Sequence, residues 1–409
     1  MEKEKQPTVL VTDANRGSAI AIIRSLSRQG WRTIAADSDE QSLGFHSRYS
    51  SQTLVYPSPT RDAGSFTAAI VDTVVREQVD LVIPTTDEAI LPLAQARKKF
   101  EGLCKVAIPD EDALQLVTEK DKTLALAKEL GIPTPVTYTA NTVEEALDVA
   151  HLVPWPMVLK AQRSRSLTGD GEVLQTGRVG YANNVKELTD EIQRLQPYGP
   201  VLIQKYREGS GLGVELLAHQ GRILAAFQHR RLAEIPITGG ASALRESVAL
   251  DPKLYEYSRR LVQALQWTGL LMVEFKVSQH ETSLMEINGR VWGSLPLAVH
   301  SGMDFPARLA ELYRYGPPPP GEPTATGYKV GVKVCNLDLM LLWIAQVASG
   351  HRRYEFIPQP RRRDAFKAMV GLLDPRRKYD VQILADPVPG IRQLLQTIRK
   401  LRRKAGAQL

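Results

Sequence analysis

The stretch LMVEFKVSQHETSLMEINGRVWGS, Leu271 to Ser294, decides how the chain is read. β-favouring residues run from Leu271 to Val277. The polar quartet Ser278-Gln279-His280-Glu281 breaks the run, and Ser283 to Asn288 resumes it, the pattern of two short strands joined by a turn. With the turn centred on His280, antiparallel pairing sets Glu274 opposite Glu286. Side chains alternate along a strand, so Asn288 shares the face of Glu286. Two carboxylates and an amide then converge, with Arg290 just beyond. Left empty, such a cluster repels itself. Its chemically sensible occupant is a hard cation with oxygen ligands, Mg²⁺ carrying a nucleotide's phosphates. The alternative is a solvated hairpin face, but both acids sit among apolar residues rather than in a charge run.

Upstream of this hairpin, Tyr255–Trp267 reads as a helix, and Val214–His219 and Arg222–Gln228 as a hairpin turning at Gln220-Gly221. Val201–Tyr206 and Met157–Ala161 are strands, the latter carrying Lys160 near its end. Thr142-Val143-Glu144-Glu145 has the form of a capping box. Asp121–Leu130 is helical and stops at Gly131, before Pro133 and Pro135. The first 115 residues alternate strand and helix: strands at Thr8–Thr12, Arg32–Ala36, Thr53–Tyr56, Leu81–Pro84 and Val106–Ile108, helices at Ser18–Gln29, Ser65–Glu77 and Asp87–Ala96. That is a parallel α/β pattern. Thr12 to Gly17 followed by Asp37 hints at a dinucleotide fold, but only one glycine of the usual fingerprint is present, which speaks against NAD.

Downstream, four consecutive prolines between Gly316 and Pro323 form a stiff linker. The chain of 409 residues carries a net charge of +7, and that average misleads. Residues 351–409 hold 15 Lys and Arg against 5 Asp and Glu, while the other 350 residues hold 37 against 40. A basic tail can meet nucleic acid, anionic lipid or an acidic partner, or simply be solvated; no DNA partner is expected. Within it, Asp386 to Gly390 resembles a helix-starting turn, after which Ile391, Leu394, Leu395, Ile398 and Leu401 fall on one helical face among cations. The expectation is that this apolar face docks on the body. The rival is peripheral contact with an anionic membrane surface. Leu337–Ala348, interrupted by Asp338 and Gln346, is too short to span a bilayer. Met1 to Lys5 lack the apolar core of a leader, and two distant cysteines, Cys104 and Cys335, imply neither a disulfide framework nor a zinc site. A cytoplasmic location is expected.

Several features recur in a fixed order: Lys122 in Thr118-Glu119-Lys120-Asp121-Lys122, Gly131 to Pro135, Val158-Leu159-Lys160, Ile203-Gln204-Lys205-Tyr206, Glu274, then Glu286-Ile287-Asn288-Gly289-Arg290. Over about residues 8 to 315 the sequence resembles the ATP-grasp superfamily, in its carboxylate–amine ligase-like branch, which includes carbamoyl-phosphate-synthase-like and biotin-carboxylase-like cores. The resemblance implies a fold of mixed α/β and α+β class. A parallel pre-ATP-grasp α/β domain spans residues 1–115 and a two-lobed ATP-grasp domain residues 116–316. A proline-rich linker covers 317–326 and a basic C-terminal region 327–409.

It also implies roles. Lys160 would meet the nucleotide's α/β-phosphates, and Lys122 would be a second lysine at the nucleotide. Gln204, Lys205 and Tyr206 form the hinge strand that holds adenine, with glutamine where many relatives have glutamate, and Glu208 meets the ribose. Gln162–Gly171 would cover the phosphates, with only Gly169 and Gly171 but with Arg163 and Arg165 added. Arg231 and Arg290 would hold the transferred phosphoryl or acyl phosphate, and Glu274, Glu286 and Asn288 would ligate Mg²⁺, with Mn²⁺ as a substitute. His229 is left out as structural. The expected activity is an ATP-dependent ligase that activates a small carboxylate for attack by an amine. The alternatives are a bicarbonate-activating or carbamoyl-phosphate-like enzyme, a nucleotide-binding regulatory module without turnover, and an oxidoreductase. Neither substrate nor the oligomeric state is readable from the sequence.

Overall fold

The computed structural model describes residues 5–167, 172–175, 179–350, 354, 356–357 and 359–406. The first five strands form a parallel sheet, in the order Gln52–Val55, Arg32–Asp37, Thr8–Val11, Leu81–Ile83 and Lys105–Val106. Their crossovers are the helices Gly17–Arg28, Ala63–Glu77 and Asp87–Gln95. The central strands are buried along almost their whole length, as a sheet covered on both faces requires. Leu10, Ile34 and Val82 belong to one core cluster, and Val9, Val11 and Ala35 to another. Asp37 does not wait for a ribose. Its carboxylate accepts from Asn15 N at 2.7 Å, Asp39 N at 3.0 Å and Ser42 Oγ at 3.1 Å.

Two antiparallel layers follow. The smaller has the order Gly180–Ala182, Met157–Ala161, Val201–Lys205, Thr137–Ala140. One face buries Met157, Leu159, Val201 and Ile203 against the helices Val143–Ala150 and Val185–Leu195. The larger sheet runs Thr282–Asn288, Gly269–Val277, Ser210–His219, Arg222–Ile235, Ala241–Ser247, Lys333–Cys335, Lys378–Tyr379. Its central hairpin turns at Gln220 (φ 45°) and Gly221 (φ 78°), the pair of positive φ angles that matches strand twist in a two-residue turn. Helices Pro252–Ala264, Glu111–Thr118 and Lys120–Glu129 supply Leu261, Val117 and Ala127 to the core beneath it.

The chain beyond the prolines returns to this sheet. Pro318 and Pro319 carbonyls accept from Arg222, and Lys333–Cys335 pairs with Ala241–Ser247. Two buried ion pairs then tie it to the rest of the molecule: Arg245 with Asp380, and Arg24 Nε with Asp386 Oδ2 at 2.9 Å. Asp386 also accepts from Ser47 Oγ at 2.7 Å and Arg48 N at 3.0 Å.

The final helix, Pro387–Gly406, begins where the sequence expects it. Its orientation corrects the expectation of a docked apolar face. Ile391 is 57% exposed, Leu395 50%, Leu394 42% and Ile398 38%. Among the described residues the helix's buried side chains are Pro389, Gln393 and Thr397. Gln393 Nε2 donates to Asp338 Oδ2 at 3.2 Å, Thr397 Oγ1 donates to Asp338 Oδ1, and Gln382 Nε2 donates to Gln393 Oε1 at 2.7 Å. A half-buried carboxylate on the neighbouring helix Leu337–Ser349, that of Asp338, takes its donors from the polar face, whereas an exposed leucine needs no partner. No described helix is long and apolar enough to cross a membrane.

Candidate active site

A cleft of about 770 Å³ is lined by residues of both antiparallel sheets, the N-terminal unit and the C-terminal segment. Its floor is one face of the larger sheet, and the acids stand there because of a local irregularity. The four-residue loop Ser278–Glu281 pairs Val277 with Thr282, Lys276 with Ser283 and Phe275 with Leu284. Continued regularly, that register sets Glu274 opposite Met285. A β-bulge absorbs Met285 as an extra residue, and Glu274 faces Glu286. One inserted residue thus re-aims the strand's remaining side chains.

The row continues across the sheet from Glu274 to Gly213, His229 and Ser247. A Cβ on Gly213 would lie 2.3 Å from His229 Cε1, so the glycine is what lets the buried imidazole sit beside the acids. His229 Nδ1 lies 2.9 Å from Glu215 Oε1, which accepts from Ser294 Oγ at 2.7 Å; neither His229 nor Glu215 lines the cleft. Gly289 serves a similar end, since a Cβ there would approach Trp267 to 2.6 Å. The chain passes tightly over the indole before Arg290 enters the cleft.

Asn288 Nδ2 donates to Glu274 Oε1 at 3.0 Å and to Glu286 Oε1 at 3.4 Å. Among the described residues no cluster of three or more His, Cys, Asp or Glu side chains could hold a metal. The set of two carboxylates and one amide still fits a hard divalent cation whose remaining ligands are phosphate oxygens and water. Arg231 bridges two acids, contacting Glu274 and lying 3.1 Å from Glu234 Oε1. Arg290 Nε lies 3.0 Å from Asp87 Oδ2 at the start of an N-terminal helix. Burial, offset in part by Arg231, holds the Glu274 carboxyl above the usual carboxylate range. Burial also works against ionised Glu286, but Lys120, Lys160, Arg231 and Arg290 outweigh it and hold its pKa down. Burial lowers Lys160 against the pull of Glu286 and Glu274. A carboxylate ringed by cations beside one biased toward its neutral form is an asymmetric pair that a divalent cation would even out.

Lys160 is the cation without a hydrogen bond or ion pair among the described residues that projects from the facing sheet into this cleft. Its cross-strand partner is Leu202, and that of Val158 is Gln204. The faces of Lys160 and Gln204 therefore coincide. Gln204 is buried. Its Nε2 donates to Thr137 Oγ1 at 3.0 Å, and its Oε1 has no partner. Tyr206 lines the cleft. Lys205 does not, and it alternates to the opposite face from Gln204, so only its backbone is available to a ligand. Glu208 is exposed on the following turn and is not part of the lining.

The two lysines of Thr118–Lys122 are placed differently. Lys122 is half exposed, and its Nζ lies 2.9 Å from Glu119 Oε2, one turn back on the same helix. Lys120, at the first position of that helix, enters the cleft, and its Nζ donates to Ser164 Oγ at 2.6 Å. Burial lowers its pKa, opposed by Glu286. The two lysines are two residues apart, about 200° around a helix, so one must point away when the other points in.

Arg163 is taken by Glu119, and Arg165 Nε lies 2.6 Å from Glu88 Oε1; Gly169 and Gly171 lie outside the described residues. Lys276 was missed by sequence reading. It is two residues past Glu274 and so on its face, its Nζ donating to Arg207 O at 3.2 Å and sitting 5.3 Å from the Tyr206 ring centroid. Arg245, Asp380, Asn336 and Asp338, which line the far end of the cleft, carried no sequence signal. They are brought together only by tertiary packing of the C-terminal segment.

Residues 198–335 match the family described as "ATP-grasp in the biosynthetic pathway with Ter operon". The chain carries an ATP-grasp domain. The carbamoyl phosphate synthase large chain of Thermotoga petrophila is 23% identical over 326 residues, covering 75% of this chain and 28% of that relative. The chain thus spans less than a third of that relative's length. Among solved structures the fold is shared with a biotin carboxylase–β,γ-ATP complex from Campylobacter jejuni. The TM-score is 0.62 at 18% identity, over 80% of this chain and 74% of that one. It is also shared with an L-amino acid ligase from Bacillus licheniformis, with a TM-score of 0.57 at 15% identity over 76% and 75%. The sequence resemblance and the mixed α/β architecture expected from it are borne out. The ATP-grasp match takes in the strand Val201–Lys205 and both acids.

Proposed function

We propose that the protein is an ATP- and Mg²⁺-dependent ligase that activates a small carboxylate as an acyl phosphate for attack by an amine. The observation that carries this reading is the facing of Glu274 and Glu286, bridged by Asn288, in one cleft with the unpaired Lys160. Phosphoryl transfer needs positioning and charge neutralisation more than protein nucleophiles, and the cleft is rich in both. Gln204 Oε1, buried and unpaired, would accept from the exocyclic amine of adenine beside Val158 and Tyr206. Lys160 and Lys120 would bind phosphate oxygens. Glu274, Glu286 and Asn288 would hold Mg²⁺, which when bound would neutralise phosphate charge. Arg231 and Arg290 would orient the γ-phosphoryl and the carboxylate that receives it. The carboxylate oxygen displaces ADP from phosphorus, and the amine then displaces phosphate from the acyl carbon. The N-terminal unit contributes Asp87, which fixes the Arg290 guanidinium.

The test is ADP release with Mg²⁺ across paired amino acids and small carboxylates. Release that requires both a carboxylate and an amine supports the reading. Release with bicarbonate alone reassigns the protein to a bicarbonate-activating enzyme. Tight Mg·ATP binding with no release under any pair makes it a regulatory module.

A further inference from the structure

The final helix is mounted inside out for a protein whose every neighbour is water. Its polar side chains Gln393 and Thr397 are buried against Asp338, while Val388, Ile391, Leu394, Leu395 and Ile398 lie 38–57% exposed. Their spacing of three and four residues puts them on one stripe. Arg392 and Arg399, seven residues apart and therefore on one edge of that stripe, are both exposed. The sequence continues with Lys400, Arg402, Arg403 and Lys404 and has no acidic residue after Asp386.

The helix Arg362–Gly371 repeats the arrangement. Phe366 is 63% exposed, Val370 52%, Met369 50%, and Leu373 just beyond is 84% exposed, with Arg361, Arg362, Arg363 and Lys367 exposed among them. Both helices contact Leu337–Ser349. Scattered exposed leucines need no explanation. Two helices on a common neighbour that both turn apolar side chains outward, within a segment holding 15 cations against 5 acids, do.

We propose that this C-terminal surface docks the protein on an anionic lipid bilayer. The apolar stripe would enter the boundary between headgroups and acyl chains, and the flanking arginines and lysines would meet lipid phosphates. Charge decides the occupant. A second copy of the chain would bring one strongly cationic surface against another, whereas an anionic membrane neutralises it. The helix need not unfold or detach to bind, because the face that holds it to the protein is the polar one. The ligase reading is not required for this, since the surface lies outside the cleft's acid and lysine clusters.

The experiment is flotation of the full chain with vesicles of phosphatidylcholine alone or mixed with phosphatidylglycerol. Binding is expected to the mixed vesicles only, and to fall at least tenfold between low and high salt. I391S/L395S, at exposed positions, is expected to keep the parent's thermal midpoint and ATP binding and to lose flotation. R392Q/R399Q is expected to weaken flotation and flatten its salt dependence. Equal recovery with neutral and anionic vesicles, no flotation at all, or undiminished flotation by I391S/L395S would overturn the proposal. So would a dimer in solution that I391S/L395S dissolves, which would make the stripe an interface between copies.

Discussion

The hairpin Gly269–Asn288 and the helix Pro387–Gly406 were both read by periodicity, yet only for the hairpin does periodicity reveal the packing. In the hairpin, the acids share a face because strand pairing, with the bulge at Met285, constrains two segments at once. An error in either register would have separated Glu274 from Glu286. In the helix, the spacing identifies an apolar stripe but carries no information about what lies opposite. The partner is Asp338, and it chooses Gln393 and Thr397. A periodic pattern therefore predicts a face, and a second sequence element must say whether that face is buried.

The largest effect tests whether polar groups hold the C-terminal segment as apolar ones hold the hairpin. Asp386→Ala leaves the Arg24 guanidinium buried without its carboxylate. Breaking such a pair commonly costs about 3–5 kcal/mol, so a fall of that size is expected in chemical denaturation, with the Arg24→Ala/Asp386→Ala double variant less impaired than the sum of the two. A loss under 1 kcal/mol would mean that apolar contacts elsewhere hold the segment.

Next in size is the hairpin's chemistry. Glu286→Gln keeps the shape and removes the charge that Lys120, Lys160 and Arg290 surround. A loss on the order of 10²-fold or more in ADP release is expected, with the fold intact by circular dichroism. Near-parent turnover would remove Glu286 from the site.

The helix Lys120–Glu129 lies between these cases. Both lysines were in view in Thr118–Lys122, and the ordered motif drew attention to Lys122, but only the packing of this helix against the strand Thr282–Asn288 shows which turns inward. Lys120→Ala is expected to weaken Mg·ATP binding about tenfold, the scale of a charged hydrogen bond. Lys122→Ala removes an exposed ion pair and is expected to change affinity less than about twofold. Isothermal titration of both variants checks this, and the opposite order would restore Lys122 to the site.

What was legible, and what was not, follows from the range of the interactions. The parallel strands of the first 115 residues and the acid pair rest on local alternation and short connections, so their positions agree with the structure to within one or two residues. The bulge at Met285 was invisible, because its signature is a register shift and not a residue type. Gln204 and Tyr206 were found through an ordered motif. Arg245 and Asp380, separated by 135 residues, meet only through the added strand Lys333–Cys335, and no pattern near either residue announces the other.

The smallest effect separates the two faces of the final helix. Thr397→Ala removes a buried hydroxyl that donates to Asp338 and leaves a half-buried carboxylate oxygen short of a donor. A loss of about 1 kcal/mol is expected. Ile391→Ser changes a side chain that is already 57% exposed, and is expected to stay within about 0.5 kcal/mol of the parent. An ordinary amphipathic helix would give the reverse ranking, because its isoleucine would be the buried group and its threonine the solvated one. The pair of thermal or urea melts therefore reads the orientation of the helix directly. If Ile391→Ser proves the more damaging, the stripe is buried in solution, and the contrast between hairpin and helix disappears.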